Sequence, residues 1–237
     1  MKGSLRAQYM REEILGAILT ANKDLSRDEP EVAANIGIQL EHMALSTWSI
    51  SVRRRIRDAI SLIAPKNVIQ TGAGIGHLSA WLFHHFEQDE VLSNFQMIEE
   101  GNRFAVILAR LKERYSSVPS SIVVGTPSLL SSELKAWNIS KIGEPPMLPN
   151  ADAIIVDAIM PRLADDVKSL LPLLNKNGVL FTVEPTPPVG DREEDDPEVV
   201  GFNKWMELIQ STNETHHLAF APLFGGTIVA WIERDQD

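Results

Sequence analysis

The run Val68-Ile69-Gln70-Thr71-Gly72-Ala73-Gly74-Ile75-Gly76-His77 passes from an apolar strand through a glycine-rich turn into a helix. The free N–H groups of such a helix start can meet an electronegative ligand. Glycine suits the turn because no Cβ blocks close approach. A dinucleotide fingerprint, G-x-G-x-x-G, needs glycine where His77 stands, and the spacing here is G-x-G-x-G, which argues against a nicotinamide cofactor. Glu99 closes the next apolar run, where a carboxylate accepts hydrogen bonds from the ribose hydroxyls of an adenosine. Gly125-Thr126 follow the third run and Asp157 the fourth. Singly, each has an ordinary structural explanation: a tight turn, a surface carboxylate or a loop cap. Four strand ends meeting on one edge of a sheet describe a nucleoside-sized crevice.

The elements that must position these residues alternate as strand and helix. Short, largely β-branched runs at Asn67–Thr71, Phe95–Glu99, Ser121–Val124, Ala153–Asp157 and Val179–Val183 predict five parallel strands. Helical periods separate them at His77–Phe86, Arg103–Tyr115, Ser128–Trp137 and Ala164–Leu174, and a last helix spans Val199–Gln210. His217–Leu223 and Thr227–Ile232 are joined too closely for a crossover, so they form an antiparallel hairpin. Residues 1–65 read as helices only, Leu5–Ala21, Pro30–Ala44 and Trp48–Ile63, with Asp28 capping the second. The chain therefore divides into a helical arm, residues 1–65, and an α/β domain, residues 66–237, whose sheet has helices on both faces. The loop Pro185–Pro197 follows the fifth strand and can cover a site beyond the strand ends.

With 237 residues, 44% of them hydrophobic, the chain is long and apolar enough to bury a core. It lacks an apolar run long enough to span a bilayer and a secretion signal at Met1–Ile14, so it is expected in the cytoplasm, away from membranes. No cysteine is present, so thiolate chemistry and cysteine-ligated zinc are excluded. Residues 1–62 carry a net charge of +1 and the remainder −11, which together give the −10 of the whole chain, and this disfavours nucleic acid as a partner. The basic run Arg53, Arg54, Arg55 and Arg57 lies among Val52, Ile56 and Ile60 and reads as the solvated face of an amphipathic helix. Trp48, Trp81, Trp137, Trp205 and Trp231 read as core or interface anchors.

From residues 40 to 235 the sequence resembles the class I S-adenosylmethionine-dependent methyltransferases. Within that class it is similar to the catechol and caffeoyl-coenzyme A O-methyltransferase group. The resemblance rests on the order of elements, on Ile154-Ile155-Val156-Asp157-Ala158, on Leu170 to Val179, on Phe202-Asn203 and on Ala221-Pro222-Leu223-Phe224-Gly225-Gly226-Thr227. It implies a Rossmann-like seven-stranded sheet, with five parallel strands plus the C-terminal antiparallel hairpin. It also implies a small-molecule methyl acceptor modified at oxygen, and a homodimer built on the arm. The cofactor, S-adenosylmethionine, would be bound by Gln70, Gly72, Ala73, Gly74, Gly76, Glu99, Gly125, Thr126 and Asp157. Glu99 would hold the ribose, and Gly125 and Thr126 would border the adenine. Relatives of the catechol type also hold a divalent metal, magnesium, through acidic and amide side chains after strands four and five. Asp157 matches the first ligand and Glu184 stands in for the second, whereas Pro185 replaces the third and Met160 replaces a lysine common in that group. Gln70 replaces an acid. Asp157 and Glu184 are thus the candidates for the acid–base or metal role. The departures at Gln70, Met160, Glu184 and Pro185 motivate an alternative, a methyltransferase-fold protein that binds cofactor or a protein partner without catalysis.

Overall fold

A computed structural model describes residues 20–88 and 91–234 together with Gly16. The expected helix Leu5–Ala21 falls largely outside the described residues. The elements are α1 (Glu31–His42), α2 (Ile50–Ile63), β1 (Asn67–Thr71), α3 (His77–Phe86), β2 (Asn94–Glu99), α4 (Asn102–Arg114), β3 (Ser120–Val124) and α5 (Pro127–Ser140). They continue as β4 (Ala151–Val156), α6 (Met160–Leu170), a 3₁₀ turn (Leu171–Leu173), β5 (Leu174–Val183), α7 (Pro197–Thr212), β6 (His216–Leu223) and β7 (Gly226–Glu233).

The seven strands form one sheet in the order β3-β2-β1-β4-β5-β7-β6. Strands β1 to β5 pair in parallel, while β7 is antiparallel to both β5 and β6. The hairpin therefore folds back so that its second strand lies inside its first, and β6 runs in the direction of the parallel five. Side-chain alternation divides the core between the two faces of the sheet. Val68, Ala153, Ile155, Val179 and Phe181 pack with α1 to α4, and Ile69, Ile154, Val156 and Leu180 pack with α5 to α7. Trp81, Trp205 and Trp231 are fully buried, Trp48 and Trp137 half-buried. Among the described residues no helix is long and apolar enough to cross a membrane.

Three local expectations need correction. Pro30, not Asp28, stands at the N-cap of α1, and no side chain caps that helix. Helix α6 starts at Met160 and ends at Leu170, because Pro172 has no N–H to continue the ladder and the chain tightens into a 3₁₀ turn. The arginine run is not a uniformly solvated face: Arg53 and Arg57 are 5% and 6% exposed. They lie beside the Val52–Ile56–Ile60 stripe of α2 and turn inward to polar partners.

Candidate functional site

The strand order reverses between β1 and β4, and in open α/β sheets ligands bind beyond the carboxyl ends of the strands at such a point. Register places the ends together: Thr71 lies beside Ile98 and Val156, and Glu99 beside Val124. Backbone bonds extend the ladder one step past the strands. Gly72 N–H donates to Ile98 O at 3.1 Å, Gly125 N–H to Glu99 O at 3.1 Å, and Asp157 N–H to Thr71 O at 3.2 Å. The four expected positions thus sit on one rim.

The glycine turn is built for close approach. A Cβ on Gly72 would lie 1.7 Å from the carbonyl oxygen of Asp157, and φ is +64°, so only glycine lets β1 and β4 close together here. Gly74 also has a positive φ, +55°, yet a Cβ there would meet nothing within 4 Å. The turn therefore faces open space at Gly74, while Ala73 is buried and Gly76 forms the N-cap of α3.

Glu99 ties this turn to the next loop. Its Oε2 accepts from Gly74 N–H at 2.7 Å and its Oε1 from Gly101 N–H at 3.1 Å. A carboxylate has about four acceptor positions, so two remain for hydroxyls of a ligand. Gln70 is 2% exposed and its Oε1 accepts from Ser79 Oγ–H at 2.9 Å, so the amide is turned to α3. Thr126 is the N-cap of α5, its hydroxyl accepting from Leu129 N–H. Burial, and after it the neighbouring Glu99 charge, push the Asp157 carboxyl up to about 7. A carboxyl at this value exchanges protons near neutrality.

The donor set does not fit a resident divalent metal. Glu184 directly follows β5 and is exposed, its N–H donating to Thr227 O, and Pro185 brings no side-chain ligand. Among the described residues no three His, Asp or Glu side chains come close enough together to hold a cation. A hard cation needs about six oxygen donors.

A polar cluster behind the turn was not evident in the sequence. Glu29 Oε1 accepts from Arg53 Nη2 at 2.8 Å, His77 Nε2 at 3.2 Å and Trp81 Nε1 at 3.1 Å. His77, the first residue of α3, is 6% exposed and held by this carboxylate. Burial, with the Arg53 charge, keeps its imidazole below the usual range, although Glu29 opposes the shift. Burial works to raise Glu29, but the hydrogen bonds from Arg53, Trp81 and His77 outweigh it and hold the carboxyl below its usual range. No local signal announces this group, because its members are 24 to 52 residues from Glu29.

No protein-family model matches the sequence, and no curated protein matches it either. Solved structures do match. The O-methyltransferase of Bacillus cereus, in complex with S-adenosylhomocysteine, is 16% identical, with 89% of this chain and 94% of that one covered at a TM-score of 0.62. The O-methyltransferase TomG of Streptomyces achromogenes, in complex with S-adenosylmethionine, is 17% identical, with 87% and 92% covered at 0.62. A caffeoyl-CoA O-methyltransferase assigned in Staphylococcus aureus is 14% identical, with 86% and 93% covered at 0.61. With the strand order and the crevice at its reversal, these likenesses show that the chain has the class I S-adenosylmethionine-dependent methyltransferase fold.

Proposed function

We propose that the protein is a cytoplasmic S-adenosylmethionine-dependent methyltransferase acting on a small molecule at oxygen. The observation that carries this reading is the glycine turn. It is open at Gly74 and fixed by Glu99, at the reversal of a sheet whose structural neighbours were solved with the same cofactor or its product. In this reading Gln70 and Gly72 to Gly76 border the methionine part, Glu99 offers its remaining acceptor positions to the ribose hydroxyls, and Gly125 and Thr126 border the adenine. Bound S-adenosylmethionine supplies a methyl group already activated by positive sulfur. The chain's task is then to hold the acceptor oxygen in line and to take its proton. Asp157, poised near neutrality at the crevice, is the residue that would take that proton onto its carboxylate as the methyl group passes from the cofactor to the acceptor oxygen. Glu184 assists from the neighbouring strand end as an exposed carboxylate. The exposed apolar side chains Ile38, Met43, Leu45 and Ile50 support a homodimer through the helical arm.

The test is formation of S-adenosylhomocysteine over a panel of phenols, catechols and aliphatic alcohols, with a chelator present. We expect turnover that survives chelation and falls by about 10²–10⁴ in Asp157→Asn, the range a general base contributes. One observation favours a second reading: Gln70, placed where an acid is common, is neutral and already engaged by Ser79. Cofactor binding with no turnover across the panel would select that reading, a cofactor-binding protein without catalysis.

A further inference from the structure

The glycine turn at the crevice is held at both of its ends. On the sheet side Gly72 N–H donates to Ile98 O, and Gly74 N–H to Glu99 Oε2 at 2.7 Å. On the other side the turn runs into His77, whose single side-chain hydrogen bond among the described residues goes to the helical arm, from Nε2 to Glu29 Oε1 at 3.2 Å. A carboxylate only accepts, so the imidazole carries its proton on Nε2 and leaves Nδ1 as an acceptor. That Nδ1 is buried and has no partner among the described residues. A buried acceptor without a partner is unfavourable, so a ring released from Glu29 would turn toward water and draw the start of α3 with it.

The arm clasps the ring a second time. Gly37 lies in the middle of α1, and a Cβ there would stand 3.3 Å from Cε1 and 3.4 Å from Nε2 of His77. Glycine inside a helix is less stable than alanine, and here the missing side chain lets α1 lie directly against the imidazole. Glu29 is itself immobilised. The same Oε1 accepts from Arg53 Nη2 at 2.8 Å and Trp81 Nε1 at 3.1 Å, and Arg53 also donates from Nη1 to Trp48 O. The segment before α1, helix α2 and helix α3 thus meet on one oxygen atom. Between its two anchors the turn carries glycine at 72, 74 and 76, so its shape depends on how its ends are pinned.

We propose that Glu29 and Gly37 are positioning residues for the turn: acting through His77, they fix where the turn ends and α3 begins, and so couple docking of the arm to binding of S-adenosylmethionine. The coupling rests on the reading of the crevice as the cofactor site. Neither residue has to touch the ligand. The effect is reciprocal, so a docked arm favours the cofactor and bound cofactor favours the docked arm.

Four variants separate this role from a merely structural one. Glu29→Met keeps the side-chain length without an acceptor, and Glu29→Gln keeps one acceptor oxygen. His77→Phe keeps a ring without the bond, and Trp81→Phe removes a different bond to the same carboxylate. Two quantities are measured: hydrogen exchange of the amides of residues 72–80 in the ligand-free protein, relative to those of β4, and calorimetric affinity for S-adenosylmethionine. Exchange in the turn should be at least tenfold faster, and affinity at least fivefold weaker, in Glu29→Met and His77→Phe. Glu29→Gln should restore both to within threefold of the parent, and Trp81→Phe should stay within twofold. Bound cofactor should slow exchange in residues 22–30 at least threefold in the parent and not in His77→Phe. His77→Phe leaves the Glu29–Arg53 pair in place, so it carries the test even where Glu29→Met fails to fold. Turn exchange unchanged in His77→Phe, or raised equally in Trp81→Phe, would overturn the proposal. A parent that binds no S-adenosylmethionine would overturn the coupling together with the proposed function, and the exchange measurement would then decide by itself whether the arm positions the turn.

Discussion

Replacing Asp157 by Asn should stabilise the protein, and only above acidic pH. The unfolded chain ionises this carboxyl near 3.8, whereas the folded protein holds its proton up to about 7, chiefly because the group is buried and secondly because Glu99 faces it. Between these values the folded state binds a proton that the unfolded state has released. The stability tied to Asp157 is therefore complete below about pH 4 and is lost as pH rises through 7. At about 1.4 kcal/mol per pH unit the full loss is on the order of 4 kcal/mol. For a chain of this size that corresponds to roughly 10 °C in melting temperature. The amide of Asn has the shape of the carboxyl and no charge to lose, so Asp157→Asn should melt with the parent near pH 4 and well above it at pH 8. Thermal melts followed by circular dichroism from pH 4 to 8.5 provide the assay. A difference between the two proteins that does not change with pH, or a variant that is less stable at pH 8, would show that Asp157 does not hold a proton to neutrality in the folded state. In the parent, binding of a cationic ligand beside this carboxyl should release a proton near neutrality, seen as a dependence of the calorimetric heat on the buffer's ionisation enthalpy.

The two glycines at the turn should respond oppositely to alanine. Gly72→Ala drives a Cβ to 1.7 Å from the Asp157 carbonyl and should leave little folded protein in expression and melting measurements. Gly74→Ala meets nothing within 4 Å, so only its positive φ costs stability, about 1 kcal/mol, while affinity for S-adenosylmethionine should drop at least tenfold. Equal behaviour of the pair would contradict the assignment of the open space to a ligand. Glu29→Ala strands the Arg53 guanidinium, 6% exposed at its side chain, and removes the acceptor of Trp81 and His77. Breaking a buried pair costs roughly 3–5 kcal/mol, and because Glu29 is 24% exposed the low end, about 3 kcal/mol, is expected in urea unfolding. A loss below about 1 kcal/mol would show that the cluster does not hold the arm to α3.

What could be read from the sequence follows from where information is local. Thr71-Gly72, Glu99, Gly125 and Asp157 each stand directly after an apolar run, so the sheet topology alone brings them together. The same holds for the hairpin, whose turn is too short for any other connection. Arg53 and Arg57 depart from the solvated-face expectation, which holds because charge normally marks the wet side of a helix. Their partners, Glu29, the Trp48 and Ser26 carbonyls and the Trp81 ring, come from other segments that only the fold brings near. The engagement of Gln70 by Ser79 has no local signature for a related reason. Nine residues separate them, and they face each other only because α3 packs back against β1. Strand β5 begins five residues early, at Leu174, because Asn175-Lys176-Asn177-Gly178 lacks the β-branched composition that marks its buried half.

In the proposed reading the crevice over Gly74 and Glu99 holds S-adenosylmethionine. Calorimetric titration of the parent protein and of Glu99→Ala with S-adenosylmethionine and S-adenosylhomocysteine addresses it directly. Binding in the micromolar range for the parent, weakened about a hundredfold in Glu99→Ala where the folded melting transition persists, is the predicted result, since two hydrogen bonds to a charged acceptor are worth on the order of 3 kcal/mol. No binding by the parent, or equal binding by both proteins, would show that the cofactor does not sit in this crevice.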